Sequence, residues 1–223
     1  MKKYLPVLEK CPLFSGIESE KIIGLLGCLG AVARRLGEGE SLFPEGERAT
    51  RLGIVLSGEV QIIQQDYFGN RSIISALGEG FLVGEEFACA GTELVPVEMV
   101  ASRESEVMLI ESVRILRTCH AACGHHHQLI YNMMRAIAEK TVSLHERMSA
   151  TSRRTTREKL LAYLSAFSRR VGKRAFDIPF DRQELADYLE VDRSGLSAEL
   201  GKLAREGILR TRKSHFVLLG GVG

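Results

Sequence analysis

The stretch LADYLEVDRSGLSAELGKLAREGIL, residues 185–209, decides how this chain is read. It holds two short helical patterns with only a few residues between them. Leu185 and Leu189 mark the apolar face of the first, and Leu196, Leu200 and Leu203 that of the second, each at the spacing of a helix with one buried side. The start of the second pattern carries Arg193, Ser194 and Ser197, polar side chains that a helix buried on all sides would not place there. Asp181 precedes the first pattern with Glu184 three residues on, the signature of a capping box, and Asp192 precedes the second. Two capped helices, a tight turn and a polar tip on the second predict a helix-turn-helix, whose second helix enters the major groove by its N-terminal end.

The flanks fit that reading. TTREKLLAYLSAFSRRV (155–171) is helical, AFDIPF (175–180) a short strand, and ILRTRKSHFVLL (208–219) two strands about Lys213-Ser214. Together they predict a winged helix-turn-helix over 151–223. Arg193 can donate two bonds to a guanine edge, while Ser194 and Ser197 suit bases or phosphates. Arg182 and Gln183 at the start of the first helix, Lys202, and Arg210, Arg212 and Lys213 in the wing are phosphate candidates. Charge agrees: residues 149–223 hold 15 Lys+Arg against 9 Asp+Glu, a balance of +6, whereas residues 1–148 hold 15 against 19, a balance of −4. A basic final third is drawn to phosphates.

Upstream, HHHQLIYNMMRAIAEKTVSLHERMSATS (125–152) has neither Pro nor Gly. Ile130, Met134, Ile137, Thr141, Leu144 and Met148 recur at spacings of 4, 3, 4, 3 and 4, the stripe of a two-stranded coiled coil. A dimerisation helix over 125–150 is expected, with Ser149–Ser152 as a hinge. Residues 1–124 form a third region. From Glu38 to Glu111, glycine-punctuated β-branched runs such as LGIVLSGEVQIIQQ (52–65) and VEMVASRESEVMLIE (97–111) predict an antiparallel β-roll, giving an α+β chain. Residues 38–111 contain no histidine, which argues against a cupin-like metal enzyme and against enzymatic function. Five cysteines without framework spacing fit a reducing, cytoplasmic setting, and no apolar run approaches membrane-spanning length.

The order β-roll, long helix, winged helix-turn-helix resembles the Crp/Fnr family of bacterial transcription regulators over essentially the whole chain. The matching pieces are PLFSGI (12–17), FPEGERATRLGIVLSGEVQI (43–62), the Gly84-Glu85 pair, and IPFDRQELADYLEVDRSGLSAELGKLAREGIL (178–209). The resemblance implies a homodimer on palindromic promoter DNA, with Arg193 reading guanine, and contact with RNA polymerase if the chain activates. Two departures stand out. Glu190 occupies the turn where the family usually has Gly, and Ala198 the place of a second basic residue.

In cyclic-nucleotide-binding members a Gly-Glu pair is followed about ten residues later by Arg-Ser or Arg-Thr. Here Val95, Pro96 and Val97 stand at that point, which argues against cAMP as effector. Gly84, Glu85, Glu86 and Val95 remain the candidate lining for an unidentified small molecule. A cyclic-nucleotide-binding module acting on another protein is the alternative. So is a metal, haem or thiol sensor built on CHAACGHHH (119–127), with Cys119, Cys123 and His126 as its candidate ligands.

Overall fold

The computed structural model describes residues 2–65, 67–68, 71–116 and 124–219. The chain divides into two compact units, 1–138 and 139–223, and each has its own core.

The first unit opens with a 3-10 turn (Lys2–Tyr4), α1 (Leu5–Leu8), a second 3-10 turn (Pro12–Phe14) and α2 (Ser19–Cys28). The strands follow: β1 (Val32–Leu36), β2 (Ser41–Phe43), β3 (Arg51–Ser57), β4 (Val60–Gln65), β5 (Arg71–Leu77) and β6 (Leu82–Val83). After α3 (Glu85–Ala90) come β7 (Glu98–Ala101), β8 (Ser105–Glu111) and α4 (Ser112–Leu116). They pair into two antiparallel sheets, ordered β1-β8-β3-β6 and β2-β7-β4-β5. Leu52, Ile54, Val60, Val83, Met99, Met108 and Ile110 are buried in the core. This is the β-roll that the short alternating runs imply. Gly53 is required by packing, because a Cβ there would meet Val83 at 2.6 Å and Val107 at 2.8 Å.

The long helix α5 (Gly124–Thr151) begins in this unit. Leu129 and Met133 are buried in its core, and Ile137 packs half-buried against it. The buried Asn132 amide donates to the carbonyls of Leu13 at 2.9 Å and Ser15 at 2.8 Å, and Gln128 donates to its oxygen. These bonds tie α5 to the loop around the second 3-10 turn.

The second unit holds α6 (Thr156–Val171), β9 (Ala175–Asp177), α7 (Arg182–Leu189), α8 (Arg193–Arg205), β10 (Leu209–Arg212) and β11 (His215–Leu218). The strand order is β10-β11-β9. The five leucines that marked the two helical patterns are all buried, alongside Leu160, Leu164, Phe176 and Phe216. The expected hinge at Ser149–Ser152 moves downstream: α5 continues through Thr151 and the break falls over residues 152–155. Thr155 sets it, because its side chain caps α6 in a capping box with Glu158, whereas the serines before it carry no such signal.

Both expected caps of the helix pair form. Glu184 N donates to Asp181 Oδ1 at 2.9 Å while Asp181 N donates to Glu184 Oε2 at 2.7 Å, and Gly195 N donates to Asp192 Oδ2 at 2.8 Å. Glu190 ends α7 in the left-handed region at φ 54°, a conformation that costs a residue with a Cβ about 1–2 kcal/mol. Glu190→Gly is therefore expected to stabilise the second unit by about 1 kcal/mol, seen as a higher urea midpoint of its transition in the full chain. An unchanged or lower midpoint would show that the Glu190 contact with Arg147, at 3.7 Å, outweighs the relief.

Candidate nucleic-acid interface

The turn between α7 and α8 delivers α8 with its leucines inward and its N-terminal tip outward. Arg193, Ser194, Ser197 and Lys202 are exposed, while Leu196, Leu200 and Leu203 are buried. Arg157 on α6 donates to Glu206 and, at 3.4 Å, to Glu199, so α8 is braced against α6. These braces join residues 42 and 49 positions apart, and no local pattern in the sequence announces them.

The structure brings Arg182, Gln183, Arg193 and Lys213 around one open cleft of about 510 Å3, lined also by Phe180 and Asp181. The starts of α7 and α8 and the tip of the wing thus share one surface. Arg212 is exposed on β10, and Lys213 turns the hairpin at φ 53°. Ser197 and Lys202 lie further along α8, and Lys202 pairs with Glu199 at 3.3 Å.

Two candidates are already partly engaged. Arg182 donates to Thr211 Oγ1 at 2.6 Å, and its guanidinium lies 5.0 Å over the Phe216 ring. Burial pulls it below the usual arginine value. Its first task is to hold the α7 start to the wing, and Thr211 is a site residue the sequence reading missed. Ser194 donates to the Asp192 carboxylate, which that bond and the Gly195 N–H hold below the usual aspartate range. Ser194 therefore strengthens the cap that aims Arg193. Gln183 donates to Asp187 at 2.8 Å, one turn on.

The lining of the β-roll is poorly matched to a cyclic nucleotide. Gly84 adopts φ 73° and Glu85 opens α3, buried. Glu86 beside it is half-buried. A Cβ on Gly84 would lie 3.2 Å from Phe43 and 3.3 Å from Met99, so side chains already fill the space beside this turn. Val95 is buried, with its N–H bonded to Glu47 O and its C=O to Gly46 N. It offers a phosphate neither charge nor a side-chain donor. Arg103 is exposed and donates to Gly58 O at 3.3 Å, at the β3–β4 turn. A buried phosphate needs a charge partner, and these residues do not supply one.

Of the metal candidates, Cys119 and Cys123 lie outside the described residues. His126 is buried with Nε2 at 3.0 Å from the Arg114 carbonyl, a bond that closes α4 against α5. Among the described residues no group of three or more His, Cys, Asp or Glu side chains is placed to hold a metal. Burial pushes the Cys11 thiol up to about 12, and burial with the nearby Glu85 and Glu86 raises Cys89. No helix among the described residues is long and apolar enough to cross a membrane.

Two family models match the chain: a cyclic nucleotide-binding domain over residues 33–121 and a Crp-like helix-turn-helix domain over 158–219. No curated protein matches it. Among solved structures it is similar to the c-di-GMP responsive global regulator CLP of Xanthomonas campestris, at 20% identity and TM-score 0.58, covering 92% of this chain and 100% of that one. The catabolite activator protein of Thermus thermophilus is similar at 23% identity and TM-score 0.50, with 93% of each chain covered. CprK complexed with OCPA aligns at TM-score 0.65 and 14% identity over 90% of each chain.

Proposed function

The chain belongs to the Crp/Fnr family of DNA-binding transcription regulators, and from that premise we propose that it reads a palindromic operator as a homodimer. The observation that carries this is the exposed Arg193 at the tip of a helix whose leucines are buried, sharing one cleft with wing Lys213. Guanidinium forks of two subunits meet guanine edges in successive major grooves, and the wing cations, Arg212 and Lys213, hold phosphates. Pairing of the subunits falls to α5. In the single chain Met134, Leu144 and Met148 are 60%, 52% and 65% exposed, and Thr141 is exposed as well. Ile130 and Ile137 are half-buried, Ile137 against the β-roll core, so the stripe is most exposed at Met134, Leu144 and Met148.

The signal is a molecule other than a cyclic nucleotide, a reading supported by Val95 where a phosphate partner would stand and by the filled space beside Gly84. It acts by shifting the population of dimers whose α8 tips are spaced for DNA. Selection from a randomised duplex library tests the function. The expected yield is an inverted repeat with half-site centres one helical turn apart, about 34–36 Å. Recovery of sequences with no common half-site, with and without cell extract as the source of effector, would overturn it.

A further inference from the structure

Within the second unit, Ser143 and Glu146 of α5 line a cavity of about 230 Å3 with α6 and the segment around α7. Glu146 lies about 200° round the helix from Leu144, so the cavity sits behind the uncovered stripe. Its walls are Tyr163, Phe167, Phe180 and Tyr188, with ring centroids 4.9 Å apart for Phe180–Tyr188 and 5.3 Å for Tyr163–Tyr188. Over these rings stands a pair of opposite charges. Arg170 lies 4.6 Å from the Phe167 ring and donates to Glu146 through Nη1 at 3.3 Å. One of five guanidinium N–H groups is thus spent. Tyr163 is only 8% exposed, yet neither its hydroxyl nor that of Tyr188 has a hydrogen-bond partner among the described residues. Burial raises both phenols above the usual tyrosine value, which keeps them neutral donors.

Neither hydroxyl is sealed in the core, so both remain accessible as donors beside a space bounded by a guanidinium and a carboxylate. We propose that this cavity binds a small aromatic α-amino acid, its ring among the aromatic walls, its ammonium on Glu146 and its carboxylate on Arg170. Charge selects this class. A simple aromatic acid would face Glu146, and a simple amine would face Arg170. An α-amino acid carries both signs a few bonds apart, as the site does. Its carboxylate also accepts from the phenols. The volume is below that of ordinary drug-sized pockets, about 300–1,000 Å3, and fits one ring with its backbone. Ala166 on the wall leaves the space that a larger side chain would fill.

The site is independent of operator reading, since its test involves no DNA. The full-length protein is titrated with L-phenylalanine by calorimetry and by tyrosine fluorescence, which the absence of tryptophan leaves unobscured. One molecule per chain is expected to bind saturably. Arg170→Gln and Glu146→Gln are each expected to weaken it at least about tenfold, the loss of one charge-assisted hydrogen bond. Phenylacetate and phenethylamine, each lacking one charge, should bind at least about tenfold more weakly than L-phenylalanine. Ala166→Leu, which suits a helix and fills the cavity, should abolish binding without lowering the thermal midpoint. No saturable binding at millimolar L-phenylalanine would overturn the proposal, as would equal binding of phenylacetate or unchanged binding by Ala166→Leu.

Discussion

Leu144→Glu is expected to give a folded monomer that has lost operator binding. Leu144 is half-exposed in the single chain and makes no part of either core, so the substitution leaves the fold of one subunit intact. In a two-fold pair the same position faces its own copy. Two leucines are then removed from the interface, at about 2 kcal/mol each, and two carboxylates are forced together. The sum of about 4 kcal/mol or more raises the dimer dissociation constant about a thousandfold. Because each half-site depends on the other subunit, operator affinity falls with it. Sedimentation equilibrium reads the first effect, and circular dichroism melting checks that the chain stays folded. A Leu144→Glu protein that remains dimeric at micromolar concentration would remove α5 as the pairing element. Leu144→Met, similar in volume, is the control that should remain a dimer.

Arg193→Ala comes second in size. A bidentate arginine–guanine pair discriminates by about 1–3 kcal/mol, and a palindrome contains it twice, so the variant should lose about 30-fold or more on its operator while unrelated DNA binds nearly as before. Lys213→Ala acts in the opposite manner. It should weaken all duplexes alike and lower the salt slope by about 0.9 for each phosphate the variant leaves unneutralised. Competition binding at several salt concentrations separates the two. If Arg193→Ala weakened operator and unrelated DNA by the same factor, Arg193 would be a phosphate ligand and base reading would lie elsewhere on α8.

Much of this architecture was legible because its signals are local. Leucines three and four apart fixed the inner face of α7 and α8, and Asp181, Glu184 and Asp192 fixed their starts. These residues act within one turn of themselves, so a single sequence carries the information. Glu190 was legible as a departure, and its left-handed backbone shows that the turn geometry persists without glycine. What could not be read were pairings across distance. Arg182 looked like a free surface cation, but Thr211 and Phe216, some thirty residues on, draw it inward. The Arg157 braces, which join α6 to α8, and the aromatic cavity, which α5, α6 and α7 enclose, arise in the same way, from side chains that only packing assembles. The break after α5 was misplaced because small polar serines suggested flexibility, whereas the capping geometry of Thr155 decided the boundary.

The Asn132 amide has a mechanical consequence. Both of its N–H groups are committed to carbonyls in the loop that follows α1, the bond to Leu13 buried and that to Ser15 partly so. Sliding α5 by one turn, about 5.4 Å, would strand the buried Leu13 carbonyl at about 1–3 kcal/mol. The start of α5 is thus pinned in register, and it cannot work as a piston within the first unit.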